Sequence, residues 1–346
     1  MITCNYEHKV RSVYLDNVRL VLIFLVVFAH MLERFLDIKL YNSLYVIIYS
    51  FHMPLFIFIS GYLSKNTDKC RKNAFLNFFI PYIIFNSIYS IFINRSIVVN
   101  IFSPLYIYWY MLCMFFWKLI IKDFIKIKYY ILVSVLLSLY CGIFDNINWF
   151  LALSRTIFFF PYFLLGYWCD NNILNRIKSI PKYFSITVLI ILSIAIAYML
   201  NNKLVSNLML FGNDCYLNLG LSVSKGMVYR FIQYIISVIM SICILNLIPI
   251  NTFKYTDYGS KTITIYLLHA YIVDFIARIQ IIKNINPFLG LVIFFIISVI
   301  SIFILGNSKI FNMYLKLMDL IKNIILREKG EDALNDIAYK KIEVKF

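Results

Sequence analysis

The chain has 346 residues, of which 62% are hydrophobic, 18% are aromatic and only 14% are charged. Soluble domains are roughly 45 to 50% apolar and about 25% charged, so this composition excludes an ordinary soluble protein and indicates an integral membrane protein. The formal net charge is +16. Because the basic residues concentrate on one side of the predicted spans, nucleic acid binding is a poor explanation for that charge.

Ten apolar stretches are long enough, or nearly so, to cross a hydrocarbon core of about 30 Å. We therefore predict an all-α, polytopic integral membrane protein with about ten transmembrane helices. The fifth and sixth stretches are nearly contiguous around Asp145. The predicted spans are residues 18–36, 44–63, 75–93, 102–121, 129–147, 149–168, 183–200, 228–247, 262–282 and 288–306.

The lysines and arginines predict the orientation of these spans. Most of the 33 basic residues fall in alternate connecting segments, such as those around Lys69, Lys122 and Lys178, and in the segment from Lys309 onward. Cytoplasmic loops of membrane proteins carry the excess of Lys and Arg. We therefore predict an even number of spans, with both termini in the cytoplasm.

Residues 1–308 are expected to form the membrane domain, and residues 309–346 a cytoplasmic amphipathic helix with a charged tail. Apolar residues recur at helical spacing from Ile310 to Ile324, which is typical of a helix lying on a membrane surface. No cleavable signal peptide is expected. The seven cysteines lack C-x-x-C spacing, so we expect reduced, packing side chains. Three glycines are expected to permit close helix packing or a helix end: Gly61, Gly166 and Gly259.

An arginine and a histidine share one face of the first predicted span. Arg19 lies at its start, and His30 lies deep in a run of Leu, Ile, Val and Phe. The eleven-residue step between them ends about 20° past three full turns and covers about 16 Å along the helix axis. A polar side chain at membrane depth is costly unless it is used, so this pair indicates chemistry inside the membrane.

His52 is the second candidate for that chemistry. His30 and His52 each lie about 18 Å from the inner end of their span, so the two imidazoles can face one another at one level. The alternative is that His52 satisfies a backbone carbonyl freed by a kink at Pro54.

Several arginines lie in the spans or at their ends. Arg19 and Arg71 lie at the inner ends of their spans, where a basic side chain can either serve a site or simply anchor the helix end at the membrane surface. Arg155 lies in the outer half of its span and has no carboxylate near it in the sequence. Asp274 and Arg278 stand four residues apart and can neutralise each other.

Five motifs, taken in order, carry a resemblance to a known family. They are YLDNVR at 14–19 with His30, FHMPLFIFISGY at 51–62, Arg71 with Pro81 and Tyr82, Ser154 and Arg155 leading to FPYFLLGY at 160–167, and IYLLH at 265–269. Together these motifs resemble integral-membrane acyltransferase family three, and within it the fucose O-acetyltransferase-like branch. They span most of the chain.

The resemblance implies an O-acetyltransferase of the cell inner or plasma membrane, with residues 1–308 as its acyltransferase domain. It would move an acetyl group from cytoplasmic acetyl-CoA, without a metal, to a hydroxyl of a cell-surface glycan or its lipid-linked precursor. The implied partners are the lipid bilayer and the glycan, with no nucleic acid and with the oligomeric state left open. The implied site residues are catalytic His30 and His52, acetyl-CoA-binding Arg19 and Arg71, and substrate-binding Arg155, Trp109 and His269.

Three points stay open at the level of the sequence. The family often has a polar residue before a Leu-Trp run near the fourth span. Here Trp109 and Tyr110 match, and the polar residue is either missing or replaced by Tyr106 or Tyr108. His30 is expected either to take the proton of the attacking hydroxyl or to carry the acetyl group itself. The rival function is a glycan or lipid transporter or flippase, which would also use Arg and His side chains within its spans.

Overall fold

A computed structural model describes residues 12–94, 101–145, 150–202, 204, 206–279 and 285–325. These residues form helices and connecting turns, and no strand occurs among them, so the predicted all-α class is confirmed. The α-helices are α1 (Val13–Glu33), α2 (Lys39–Tyr49), α3 (His52–Tyr62), α4 (Thr67–Ala74), α5 (Ile80–Asn94), α6 (Trp109–Phe124), α7 (Tyr130–Cys141), α8 (Leu153–Trp168), α9 (Asn171–Lys178), α10 (Lys182–Asn201), α11 (Val223–Leu247), α12 (Thr262–Ala277), α13 (Pro287–Leu305) and α14 (Ser308–Ile325).

Seven helical segments of the described chain are long and apolar enough to cross a membrane, which confirms a polytopic membrane protein. They are α1, α2 with α3, α4 with α5, α8, α10, α11 and α13. The helices α7 and α12 are apolar but shorter. The count of ten spans and the cytoplasmic position of both termini stay predictions.

The fourth predicted span, residues 102–121, is wrong at its start, because the helix begins at Trp109. The residues before it cross one end of the bundle instead. The backbone N–H of Leu105 donates to Oδ1 of Asn86 at 2.8 Å, and the hydroxyl of Tyr82 donates to the carbonyl of Ile101 at 2.5 Å. Side chains of α5 thus bind these backbone groups in place of a helical partner.

The second predicted span is broken after Tyr49, close to the proposed kink. Pro54 has no N–H group, so the carbonyl of Ser50 lacks its normal helical donor. The hydroxyl of Ser237, from α11, donates to that carbonyl at 2.5 Å. The break separates α2 from α3, and it orients α3 independently of α2.

The helices α3 and α8 cross at backbone contact. A Cβ atom added at Gly61 would lie 1.9 Å from the carbonyl oxygen of Phe163, and one added at Gly166 would lie 1.9 Å from the carbonyl oxygen of Phe58. No side chain larger than hydrogen fits at either position unless the backbones separate. The predicted close packing at these two glycines is therefore confirmed.

The first helix lies inside the bundle. It packs against α2, α3, α12 and α13, and Leu22, Ile23 and Val27 are fully buried. By contrast, only 6% of the apolar stretch of α10 is buried, so α10 lies at the periphery. The polar residues of α1 therefore face protein, where they can serve a site.

The amphipathic helix predicted after the last span is present as α14. Asn307 caps it, because its Oδ1 accepts from the backbone N–H of Lys309 at 2.9 Å. The predicted charged tail, from Arg327 onward, lies outside the described residues.

Candidate active site

The start of α1 is held by the turn at residues 256–260. The hydroxyl of Thr256 donates to Oδ1 of Asn17 at 2.7 Å, and a Cβ atom at Gly259 would lie 1.9 Å from the carbonyl oxygen of Asp16. The carboxylate of Asp16 is fully buried and forms an ion pair with Arg19. The YLDNVR motif thus fixes the position of the Arg19 guanidinium at this end of the bundle.

A cavity of about 580 Å³ lies beside that guanidinium, and we call it the Arg19 cavity. Its wall combines basic, amide and hydroxyl groups with a larger apolar surface. Lys118, in this wall, donates from Nζ to Oγ of Ser64 at 2.8 Å. Such a wall suits an anionic ligand with an apolar part. The polar and charged lining residues are Arg19, Ser60, Asn73, Asn77, Lys118, Ser260, Thr262, Asp319 and Lys322.

A second cavity, of about 470 Å³, lies at the other end of α1, and we call it the His30 cavity. The helices α1, α6 and α8 supply His30, Trp109 and Arg155, and the loop between α10 and α11 covers it with three polar side chains. Its lining residues are His30, Glu33, Tyr49, Met53, Pro104, Tyr106, Trp109, Arg155, Phe159, Leu208, Leu210, Phe211, Asn213, Asp214 and Asn218.

Glu33 is the hydrogen-bond partner of His30 in this cavity. The two side chains stand three residues apart on α1, and Nδ1 of His30 lies 2.7 Å from Oε2 of Glu33. A carboxylate only accepts, so Nδ1 carries a proton, and in the neutral imidazole the lone pair is then on Nε2. Glu33 is absent from the predicted site residues, although its spacing of three residues from His30 was a usable signal.

Tyr106 completes the surroundings of this pair. Its hydroxyl donates to Oε2 of Glu33 at 3.0 Å, and its ring lies 4.9 Å from the imidazole of His30. The backbone of Tyr106 has φ of 46°, a left-handed conformation that is costly for a residue with a side chain. The guanidinium of Arg34, 4.5 Å from the centre of the Tyr106 ring, packs on it from another side.

His52 and His269 are both fully buried. Nδ1 of His52 donates to the carbonyl of Ile48 at 2.9 Å, and Nδ1 of His269 donates to that of Tyr266 at 2.8 Å. Within the described residues, Nε2 of each has no hydrogen-bond partner. The ring of His269 lies 5.4 Å from that of His30. Neither His52 nor His269 lines either of the two cavities.

Trp109 and Arg155 lie together in the His30 cavity. The guanidinium carbon of Arg155 lies 4.9 Å from the centre of the Trp109 ring, and Phe159 stacks on that ring at 5.2 Å. Asp214, in the covering loop, faces the same space. Burial raises the pKa of the Asp214 carboxyl above its ordinary value, and the Arg155 charge opposes that change.

Two tyrosines stand between the cavities. The rings of Tyr110 and Tyr266 lie 5.4 Å apart, and both line the Arg19 cavity. The hydroxyl of Tyr110 lies 2.7 Å from Oγ of Ser60, and that of Tyr266 donates to the carbonyl of Ile107. The cavities share no lining residue. Tyr110 follows Trp109 of the His30 cavity and Ile107 follows Tyr106 of the same cavity, so we call these two rings the aromatic partition between the cavities.

Arg71 lies apart from both cavities. Its guanidinium binds the carboxylate of Asp123 at 2.5 Å, and its Nε donates to the carbonyl of Leu119 at 2.9 Å. These bonds join α4 to α6 at the same end of the bundle as Arg19.

The suggested pairing of Asp274 with Arg278 is wrong. The carboxylate of Asp274 binds Arg34 at 2.5 Å and accepts from the hydroxyl of Tyr89 at 2.5 Å. The guanidinium of Arg278 instead packs 5.3 Å from the ring centre of Phe92. Arg34 comes from a different helix end, so spacing along α12 did not reveal it.

In the described part of the chain, no group of three or more His, Cys, Asp or Glu side chains could hold a metal ion. The groups that line the His30 cavity include an imidazole, carboxylates and hydroxyls.

Comparison with known protein families identifies the family of this chain. Residues 12–307 match the family model described as an acyltransferase domain, which is well over half of the chain. In comparisons with curated proteins and with solved structures, nothing matches. The matched range includes Arg19, His30 and both ends of the aromatic partition. The chain therefore belongs to acyltransferase family three and is a membrane-bound acyltransferase.

Proposed function

We propose that the protein is an O-acetyltransferase that takes an acetyl group from acetyl-CoA in the Arg19 cavity and transfers it to a glycan hydroxyl in the His30 cavity. One observation carries the proposal: a single buried helix, α1, lines both cavities, with Arg19 in one and His30 in the other. The two residues lie eleven positions, or about 16 Å, apart along the helix. For transfer, the arm of the donor extends past the aromatic partition of Tyr110 and Tyr266 and brings the thioester to His30.

The donor assignment is supported by the charge and shape of the Arg19 cavity. Coenzyme A joins a phosphate-bearing nucleotide to a long, less polar arm that ends in sulfur. Arg19 can hold a phosphate through paired, charge-assisted bonds, and Lys118 adds a second positive charge. Arg71 is a secondary candidate, because a phosphate would have to compete with Asp123 for its guanidinium.

The acceptor assignment is supported by the lining of the His30 cavity. Amide and carboxylate groups of Asn213, Asp214 and Asn218 can donate to and accept from sugar hydroxyls. The Trp109 ring offers an apolar surface to the C–H face of a sugar, and Arg155 lies against that ring. The proposed acceptor is a surface glycan, such as capsule, O-antigen or exopolysaccharide, or its lipid-linked precursor, as in the fucose O-acetyltransferase-like branch.

In the proposed reaction, His30 is the general base. Nε2 takes the proton of the acceptor hydroxyl while the oxygen attacks the thioester carbonyl carbon. The carbon–sulfur bond then breaks, and the imidazolium returns its proton to the departing thiolate. Glu33 holds the proton on Nδ1 and stabilises the imidazolium that forms. In the alternative order, Nε2 attacks the thioester first and carries the acetyl group to the hydroxyl.

His52 and His269 are proposed as positioning residues. His269 packs against the His30 ring. His52 lies 4.5 Å from the ring of Tyr49, and that ring lies 6.2 Å from His30. His52 therefore acts on the catalytic imidazole through Tyr49.

The experiment supplies purified protein with acetyl-CoA carrying a labelled acetyl group, together with surface glycan from cells that lack the gene. We expect label to enter the glycan and one free thiol to appear for each acetyl transferred. A general base contributes about 10²- to 10⁴-fold, so His30→Ala should lower transfer at least a hundredfold.

A smaller loss is expected for His52→Ala, measured at equal protein level. A transporter or flippase would move glycan without consuming acetyl-CoA. Transfer by the His30→Ala protein within tenfold of the parent would refute both the base and the acetyl-histidine mechanisms.

A further inference from the structure

The last described helix lies beyond the family-matched region and still forms one wall of the Arg19 cavity. The match ends at residue 307, and α14 begins at Ser308. Roughly a quarter of the cavity lining nevertheless comes from this helix, including two charged side chains. The contributing residues are Phe311, Tyr314, Leu315, Met318, Asp319 and Lys322.

The position of α14 is fixed where it leaves the bundle. Nζ of Lys261 donates to Oγ of Ser308 at 2.9 Å, which joins the start of α12 to the start of α14. A Cβ atom at Gly306 would lie 2.6 Å from the ring of Tyr258, so the turn before the helix lies directly on that ring. The wall is therefore a built part of the fold.

The helix has three distinct faces. Phe311, Tyr314, Met318 and Lys322 recur at steps of three or four residues, and this stripe faces the cavity. A second apolar stripe is exposed, with relative exposures of 69% at Met313, 41% at Leu317, 57% at Leu320 and 75% at Ile324. A third face is polar: Lys309, Asn312, Lys316 and Asn323.

Such a helix fits the plane of a membrane surface. Its exposed apolar stripe then enters the lipid and its polar face meets water. The cavity-facing stripe, with Tyr314 and Lys322, is left for the bundle. Tyr314 also packs on Phe85 of α5, with ring centres 6.4 Å apart. The helix thus closes the cavity from the membrane surface.

Three basic side chains and one carboxylate, that of Asp319, line the cavity, and their positions indicate what this wall binds. The Arg19 guanidinium forms an ion pair with the buried carboxylate of Asp16, and Lys118 donates a hydrogen bond to Ser64. Lys322 lies on the exposed rim of the cavity, where a charged group of the ligand would meet water. An ammonium there can bind a phosphate as a point charge.

We propose that α14 is part of the donor site: Lys322 binds a phosphate of the nucleotide, and Tyr314 with Met318 covers the less polar arm. This inference rests on the proposed use of an acyl-CoA donor. It assigns donor binding to residues outside the family-matched domain. It also implies that deletion of α14 would remove one wall of the donor site.

The test measures binding of coenzyme A and of pantetheine to the full-length protein in lipid nanodiscs. The variant is Lys322→Gln, and the matched control is Lys316→Gln, which makes the same charge change about 120° away on the same helix. Loss of one charge-assisted phosphate contact should raise the Kd of coenzyme A about tenfold. Lys316→Gln should change it less than twofold, and pantetheine, which lacks the nucleotide, should bind the Lys322→Gln protein as it binds the parent.

Two results would overturn the proposal. Equal coenzyme A affinity in the parent and the Lys322→Gln protein would remove Lys322 from the site. Equal losses in the two variants would show a general effect of charge rather than a contact. In both cases the parent still binds coenzyme A, so the proposed donor stands. A parent that does not bind coenzyme A at all would refute the donor assignment as well.

Discussion

Replacement of Glu33 by Gln tests how the structure activates His30. Oε2 of Glu33 accepts from Nδ1 of His30 at 2.7 Å and from the Tyr106 hydroxyl at 3.0 Å, and Oε1 accepts from the Tyr45 hydroxyl at 3.3 Å. Glutamine has the same shape. It can keep its oxygen towards His30 and turn its amide towards Tyr45, which is able to accept. The variant therefore removes the charge and retains the geometry.

The size of the effect follows from the kind of bond that is lost. A hydrogen bond to a charged group contributes about 1.5 to 3 kcal/mol, and a neutral one about 0.5 to 1.5 kcal/mol. The exchange thus costs about 1 to 2 kcal/mol of transition-state stabilisation, which lowers the rate about 5- to 30-fold. Glu33→Ala removes the whole bond and should lower the rate about 10- to 100-fold.

The assay is labelled acetyl transfer at saturating acetyl-CoA, with kcat and donor KM determined separately. We expect kcat to fall and donor KM to stay within twofold, because Glu33 lines only the acceptor-side cavity. Tyr45→Phe is the matched control. It removes the 3.3 Å bond to the other carboxylate oxygen and the bond of the same hydroxyl to Tyr49, and it leaves the bond between Glu33 and His30, so its kcat should stay within threefold. A Glu33→Gln protein as fast as the parent, or one that differs from the parent only in donor KM, would refute the proposed activation of His30 by Glu33.

Three further predictions concern donor, acceptor and fold. Arg19→Lys keeps the charge and loses the paired bonds, so donor KM should rise while acceptor KM stays constant; an unchanged donor KM would return Arg19 to an anchoring role. Arg155→Lys should raise acceptor KM and leave coenzyme A binding unaltered, because Arg155 lines only the His30 cavity; a weaker coenzyme A affinity would contradict that. Gly166→Ala inserts a methyl 1.9 Å from the Phe58 carbonyl oxygen. It should therefore destabilise the fold by about 1 to 3 kcal/mol, measured as a lower thermal midpoint in detergent. Gly220→Ala is the comparison: nothing lies within 4 Å of a Cβ atom at this exposed glycine, and its φ of 71° leaves backbone strain as the effect of the substitution.

Local patterns in the sequence were enough to predict most of the helices and the position of Arg19 and His30 on one helix, α1. Apolar runs near 20 residues long leave few alternatives to a spanning helix. The helical repeat then places Arg19 and His30 on one face. The break near Pro54 could also be predicted from the sequence, because proline lacks the N–H group of a helical hydrogen bond whatever surrounds it.

Contacts between distant segments were not accessible. The partition of Tyr110 and Tyr266 joins α6 to α12, and the ion pair of Arg34 with Asp274 joins residues 240 positions apart. Hydropathy shows that a helix is apolar, but it does not show which other segments pack against that helix. The same limit applies to α14, whose periodicity predicted a surface helix and could not show that one of its faces covers a cavity.

Glu33 falls between these cases. It stands beside Arg34 at the end of the first span, where charged residues are ordinary, so position alone drew no attention to it. Its spacing of three from His30 on a helix was the signal of an intrahelical pair. The bonds from Tyr45 and Tyr106 to its carboxylate, which the fold supplies, distinguish it from a simple boundary charge.

The most direct test of the account is transfer across a membrane by protein reconstituted in sealed liposomes. Acetyl-CoA with a labelled acetyl group is trapped in the lumen, and glycan acceptor is added only outside. Because Arg19 and His30 line separate cavities at opposite ends of α1, we expect label to appear in the external glycan, and His30→Ala liposomes to show at least a hundredfold less. Transfer that occurs only when donor and acceptor are on the same side of the membrane would contradict the account.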